Sequence, residues 1–388
     1  MRPTKAIIHL DNLVHNINEI KKRLDKKVKI CLAVKADAYG HGAVQCSVAA
    51  LRAGVTHLAV ASVQEGIELR NAGIIAPIIS LSIPSIDEVD DIIENDISPI
   101  VADAEYITHL NDEATRMACC VNVHLKVDTG MGRIGCTPYE APFLAKKIQD
   151  LPNIHLAGVA THFASSDSKK KEDVTFTNFQ LESFKKTIKA IKDKGINIPL
   201  VHAAASGATL LQKEHFDMVR VGLLAYGYSA IDEEAQYFRP VMELITKVVF
   251  IKKILKGESI SYGRTWVSNK DTYIATLPIG YADGLSRSLS SKLKVRIGDA
   301  FYPIVGRICM DQCMVDVGSE PKVKRWDEVC IFGPDVSDVH NNSVQNMQHQ
   351  GIKNNSAQDL ATLCGTIPYE ITSNINKRVP RVYEGNTK

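Results

Sequence analysis

The sequence predicts an α/β chain with an N-terminal (β/α)8 barrel of the TIM type followed by a mostly β domain. Three observations carry this. Short β-branched runs alternate with amphipathic helical stretches through the first 230 residues, the runs number eight, and from residue 236 the spacing changes to closely set strands with short turns. Strands joined by helical crossovers pair in parallel, and eight of them favour closure into a barrel over an open sheet.

In chain order the barrel strands are VKICLAVK, HLAVAS, PIISLS, SPIVA, VNVHLKVD, HLAGVATH, PLVHAA and DMVRVG. Between them lie helical stretches such as GAVQCSVAALRAG, DEVDDIIENDI, APFLAKKIQD and FTNFQLESFKKTIKAIKDKG, with Gly54, Gly73 and Gly195 marking helix exits. The second part reads as strands in VMELITKVVFIKKI, ESISYGRT, TYIATLPIGYADG, KLKVRIG, AFYPIVGRICMDQCMVDVG and DEVCIFG. Only AQDLATLCG there has a helical pattern, and the Asn/Gln/Ser-rich stretch near 336–356 reads as a long polar loop carrying His340 and His349. The expected domains are therefore 1–235 and 236–388.

Composition narrows the function. Of 388 residues, 46 are basic and 44 acidic, so no broad basic footprint for nucleic acid exists, and KKRLDKK (21–27) and KKKED (169–173) read as solvated helix ends. Nine cysteines, an odd number without a CxxC pair, argue against a disulfide framework; Cys309 and Cys313 form only a CxxxC spacing. MRPTKAIIHLDNL lacks a signal-peptide core and IIAPIISLSIPSI is too short and broken to span a bilayer. A soluble cytoplasmic protein without membrane or nucleic-acid partners and without a metal is expected.

Polar groups collect where a barrel builds its site. Lys35, Lys126, Asp128, His162, His202, Ser206 and Arg220 stand at or just after the C-terminal ends of proposed strands, the rim on which such barrels assemble active sites. Taken singly, His202 also reads as a satisfied core histidine and Asp128 as a turn cap. TGMGRIG matches GxGxxG through Gly130, Gly132 and Gly135, but a dinucleotide fingerprint needs a helix opening within the motif and an acid at the end of the next strand. Here Pro138 marks the helix start, beyond the glycines, and Asp150 ends that helix, so Arg133 points instead to another kind of anion site.

AVKADAYGHG, HLKVDTGMGRIG, THFASSD, DMVRVGLLAYG, SYGRT, LPIGYADG, GRICMDQ and GTIPYE, in this order and spacing, resemble the alanine racemases, and the resemblance runs from RPTKAIIHLDNL to NKRVPRVY. It implies interconversion of L- and D-alanine with pyridoxal 5'-phosphate, supplying D-alanine for peptidoglycan. Lys35 is then the lysine that holds the cofactor as a Schiff base and one of two acid/base groups. Tyr262 of SYGRT is the other, reaching the barrel of a partner subunit in a head-to-tail homodimer. A free tyrosine has a pKa of about 10 and needs neighbours that favour the phenolate. The resemblance assigns that to a hydrogen-bonded chain through His162 and Arg220.

By the same resemblance, Arg220 contacts the pyridine nitrogen; Tyr39, Ser206, Gly222, Leu223 and Tyr369 hold the phosphate; Arg133 and the backbone of Met310, next to Asp311, hold the carboxylate. Tyr281 and Tyr369 narrow the entrance, and Lys126 occupies the position that many members carbamylate to orient that arginine. Ala205 departs from the pattern, since many members carry asparagine before the serine. The rivals are a racemase of broader or serine specificity, a barrel-type amino-acid decarboxylase, for which a carboxylate is expected in place of Arg220, and a non-catalytic cofactor carrier.

Overall fold

In the computed structural model, which describes residues 2–334 and 355–385, eight parallel strands close on themselves. After a first strand, β1 (Lys5–His9), the barrel runs β2 (Lys29–Ala33), β3 (His57–Val60), β4 (Ile78–Ser80), β5 (Ile97–Val101), β6 (Val121–Lys126), β7 (Ile154–Ala160), β8 (Val201–His202) and β9 (Met218–Val221). β9 closes the ring on β2, with Met218 opposite Lys29 and Val221 opposite Leu32. These strands read clearly in sequence because a parallel strand is covered on both faces, so it becomes a continuous apolar run. Cys31, Ala59, Ile79, Ile100 and Met218 pack as one buried cluster. The expected helix exits at Gly54, Gly73 and Gly195 have φ of 91°, 82° and 78°, the left-handed conformation that ends a helix.

Two compact units emerge. One takes 13–38 and 43–238, and the other takes the described residues of 1–12, 39–42 and 239–388. The second unit thus reaches back to the first residues of the chain. The reason is hydrogen bonding: β1 pairs antiparallel with Met242–Lys247 and parallel with Arg381–Glu384. A six-stranded sheet results, alongside three-stranded and two-stranded sheets. SYGRT is only partly strand, since Ser259–Ile260 pairs with Trp266–Val267 and a 3-10 turn covers Tyr262–Arg264. Besides the expected helix Ala357–Cys364, a second helix, Pro368–Ser373, carries Tyr369.

All nine cysteines are reduced thiols outside any disulfide. Among the described residues no helix is long and apolar enough to cross a membrane, and no cluster of potential ligands fits a metal ion. His340, His349 and nearly all of the polar stretch near 336–356 lie outside the described residues.

The barrel interior also buries imidazoles. Burial, helped by the charge of Lys29, pushes His57 down to about 4. Burial, with His57 and Arg220, pushes His124 down to about 3. Unfolded, both titrate near 6.5. As pH falls below that value, the unfolded chain binds protons that the folded chain refuses. Stability must therefore fall, by about 1.4 kcal/mol per pH unit for each such histidine until its folded pKa is reached. We expect a melting temperature clearly lower at pH 5 than at pH 7.5 by calorimetry; equal values would contradict neutral burial.

Candidate active site

Lys35 follows β2 directly, and beyond it the backbone coils the wrong way. Ala36, Asp37, Ala38 and Tyr39 have φ of 51°, 53°, 53° and 55°, a left-handed turn built without glycine. Each L-residue in that conformation costs roughly 1–2 kcal/mol. Side chains offset the cost: Glu65 accepts from Ala36 N–H (2.7 Å) through Oε1 and from Ala61 N–H (2.7 Å) through Oε2, and Asp37 accepts from Ala43 N–H (2.7 Å). Glu65 is itself fixed in a capping box with Ser62 at the start of helix Val63–Asn71. The turn makes Lys35 the last residue before a forced change of direction.

The barrel mouth is crowded with positive charge. Burial pushes the Lys35 amine below the usual lysine range, Arg133 adds to this and Glu65 opposes it. Lys126, buried at the end of β6, is held well below that range by burial, then by Arg220 and Arg133, against the smaller pull of Asp128. Burial and the two guanidinium groups thus favour the neutral form of the Lys126 amine over the ammonium.

Arg220 is buried at β9 and every contact it makes is a donation. Nη1 donates to His202 Nδ1 (2.8 Å), and Nη2 donates to Thr161 O (2.8 Å), Ala203 O (3.0 Å) and His162 Nδ1 (3.2 Å). A guanidinium has no acceptor, so both imidazoles keep Nδ1 unprotonated and carry their proton on Nε2. Burial pushes His162 down to about 2, with Arg220, Lys126, Arg133 and Lys35 contributing. Arg220 itself is lowered by burial only to about 10 and stays charged. His202 is a satisfied core histidine and a partner of Arg220 at once, and Asp128 does cap a turn, accepting from Gly130 N–H (2.9 Å) and Gly132 N–H (3.0 Å).

That turn also disposes of the dinucleotide fingerprint. Asp128 N–H donates to Cys136 O and Cys136 N–H to Lys126 O, so TGMGRIG is a closed loop; the next helix starts at Ala141, beyond Pro138. Arg133 is exposed on the loop. At Gly135, φ is 135° and a Cβ would lie 2.6 Å from Asp128 N, so no larger residue fits.

Ser206 opens helix Ser206–Leu211, and its Oγ accepts from Gly222 N–H (3.2 Å) and Leu224 N–H (3.4 Å). With its oxygen accepting twice, the hydroxyl hydrogen is left to donate. Ala205, preceding it, offers no capping side chain.

In the other unit, Tyr39 and Tyr369 bring their rings to 5.4 Å between centroids. Tyr262 is 72% exposed at the head of its 3-10 turn. The residue before it, Ser261, has φ 68° and ψ −179°, a conformation that disfavours any side chain. Ser261 Oγ donates to Arg307 O (2.6 Å), and Gly306 allows the approach, since a Cβ there would lie 2.8 Å from Ile260 O.

Tyr281 and Met310 belong to one braced pair of loops in the same unit. Tyr281 N–H donates to Cys309 O (3.1 Å) and Ala282 N–H to Met310 O (3.0 Å). Asp283, fully buried, accepts from Gly280 N–H (2.9 Å), Arg2 Nη2 (2.8 Å) and Arg378 Nε (2.7 Å), and Arg378 Nη2 also donates to Asp311 (2.6 Å). Burial alone would raise the Asp283 carboxyl; the two arginines outweigh it and hold it below the usual carboxylate range.

Sequence reasoning missed Glu65, His124 and Asp283. GYADG carried a signal for Asp283, a carboxylate in an apolar setting, whereas Glu65 sits on an ordinary amphipathic helix.

The donor set fits a phosphorylated aldehyde that carries a substrate carboxylate. Lys35 is an amine with a depressed pKa, Arg220 a permanent donor, and Ser206 Oγ a donor beside the last barrel strand, with Lys126 and Arg133 in the same mouth.

Comparison with known proteins agrees. Residues 8–230 match the family model for the alanine racemase N-terminal domain, and residues 241–383 the model for the C-terminal domain. An alanine racemase of Treponema denticola is 58% identical over 100% of both chains. Among solved structures, alanine racemase of Clostridium difficile 630 has a TM-score of 0.90 at 36% identity, covering 100% of this chain and 97% of that one. The Bacillus anthracis alanine racemase with bound L-Ala-P has a TM-score of 0.88 at 34% identity, covering 100% and 96%. The chain belongs to the alanine racemases, pyridoxal-phosphate-dependent isomerases, and carries both domains of that family in order.

Proposed function

We propose that this alanine racemase moves a proton between the two faces of the alanine Cα with Lys35 on one side and Tyr262 on the other. The observation that carries the reading is the Lys35 amine, depressed by burial and by Arg133, in a mouth that gathers Arg220, Lys126 and His162. Bound pyridoxal phosphate would supply an electron sink that acidifies the hydrogen on the substrate Cα. Racemisation then requires a group on each face, one to take the proton and one to return it.

Each further residue has a task that follows from its chemistry. Lys35 attaches the cofactor and, once free, exchanges the proton on its own face. Tyr262 serves the opposite face from the partner subunit, which its exposure supports. Arg220, locked by His162 and His202, gives the ring nitrogen a hydrogen bond without a proton, a milder electron sink than a carboxylic acid partner would make. His162 carries its remaining N–H toward the tyrosine. Ser206, the N–H groups of Gly222 and Leu223, Tyr39 and Tyr369 hold the phosphate. Arg133 and the Met310 backbone hold the carboxylate, and Tyr281, with Asp311 beside Met310, restricts the entrance to a small side chain. The product serves as D-alanine for peptidoglycan in the cytoplasm.

Lys126 takes up carbon dioxide in this reading. A neutral amine adds CO2 and releases one proton, leaving a carbamate anion that offsets Arg133 and Arg220 and orients Arg133. Protein equilibrated with 13C-bicarbonate is expected to give one carbamate carbonyl signal that Lys126→Ala removes; a spectrum indifferent to that substitution rejects the modification.

Substrate and reaction class are read together in D2O. L-Alanine is expected to lose its α-proton signal while D-alanine appears on chiral analysis, with L-serine slower. Release of CO2 would mark a decarboxylase, and an inert α-proton would mark a carrier.

The shared site is tested by mixing. Tyr262→Ala alone should lower turnover about 10²–10⁴-fold with the cofactor retained. Lys35→Ala alone should leave no pyridoxyl group on residue 35 after borohydride reduction. After the two inactive proteins exchange subunits, one site in each mixed dimer is intact, so roughly a quarter of full activity should return for a closed two-fold dimer. No recovery, despite verified exchange, would place Tyr262 against its own chain's barrel and reject the head-to-tail assembly.

A further inference from the structure

Inside the barrel the hydrogen-bonded line from Arg220 does not end at His202. His202 Nε2 lies 3.0 Å from His124 Nδ1, and the rings meet edge to face at 77° with centroids 5.0 Å apart. Because Arg220 claims His202 Nδ1, the His202 proton is on Nε2 and the bond runs from His202 N–H to His124 Nδ1. His202 is 0% and His124 2% exposed, so solvent does not substitute for either partner.

The local backbone is shaped around this contact. Pairing of β6 with β7 slips by one residue at this point, from Val123 opposite Leu156 to His124 opposite Gly158, which leaves Ala157 as the extra residue of a bulge. At Gly158 a Cβ would lie 2.5 Å from His124 Nδ1, the atom that faces His202. Both the slip and the missing side chain make room for that nitrogen.

We infer that His124 is a positioning residue for the racemisation. By accepting the His202 N–H it holds that ring with Nδ1 toward Arg220, and so fixes the direction of the guanidinium. If the acceptor is removed, the buried N–H is orphaned, and the ring can satisfy it only by turning, which takes Nδ1 off Arg220. The inference rests on the reading of Arg220 as the donor to the cofactor ring.

The test compares His124→Leu, which removes the acceptor at similar size, with His124→Asn, which returns an acceptor oxygen near the position of Nδ1. In the holoenzyme His124→Leu should lower kcat about tenfold, about 1.4 kcal/mol of barrel-mouth alignment, with KM little changed and the absorption band of the bound cofactor shifted. His124→Asn should recover most of both, and the loss should vanish in an Arg220→Gln background. In cofactor-free protein, 15N NMR of the His202 ring should report a single Nε2–H tautomer in the parent and in His124→Asn, and its loss in His124→Leu.

Equal kinetics for the Leu and Asn variants, or a loss that persists undiminished beside Arg220→Gln, would overturn the inference. Should Arg220→Gln itself leave turnover and spectrum unchanged, the reading of Arg220 is what fails. The His202 signals then still decide whether His124 holds the ring, and an unchanged tautomer in His124→Leu would show that it does not.

Discussion

A permanent charge inside the barrel constrains the rest of the site. The Arg220 guanidinium is buried and cannot give up its proton at neutral pH, so its donors must all find acceptors. Nη1 and Nη2 find them at the ends of neighbouring strands, in Thr161 O, Ala203 O and the Nδ1 atoms of His162 and His202. Burial first and this charge second act on the groups near it: the histidines stay neutral with their tautomers fixed, and the Lys126 amine is held well below the usual lysine range. A surface salt bridge contributes little, but a buried donor set of this kind dictates the protonation of its neighbours.

Much of this was legible in the sequence, for a physical reason. Parallel strands covered on both faces leave continuous apolar runs, so all eight barrel strands could be read, and ionisable residues at their ends stood out against those runs. Lys35, His162 and Arg220 stand out in that way from the residues alone. β1 was not seen, because KAIIH looks like a short apolar run until Met242–Lys247 and Arg381–Glu384 flank it. The left-handed turn at 36–39 was illegible too: ADAY has no glycine, and only hydrogen bonds accepted by the Glu65 and Asp37 carboxylates override its local preference. The His202–His124 contact depends on a one-residue slip between strands, and no property of either strand alone encodes that slip.

Backbone strain sits beside both members of the proposed acid/base pair. Lys35 precedes four left-handed residues, and Tyr262 follows Ser261 in a conformation that glycine alone adopts freely. Strain of roughly 1–3 kcal/mol per residue persists only where surrounding bonds over-determine the geometry. Here Glu65 and Asp37 do so on one side, and Arg307 O with Gly306 on the other. Regular strand or helix would have carried each side chain onward along the element. A forced reversal directly after or before the residue instead fixes where its functional atom lies, with little rotational freedom in the backbone that bears it.

The charge balance of the mouth explains why such a site needs its ligands to be anionic. Arg133 and Arg220 are cationic, burial holds the Lys35 and Lys126 amines below the usual lysine range, and the nearby carboxylates Glu65 and Asp128 are occupied with backbone N–H groups. In the proposed reading a phosphate beside Ser206 and a carboxylate beside Arg133 would restore the balance, so a ligand that carries both anions is favoured over one that carries either alone.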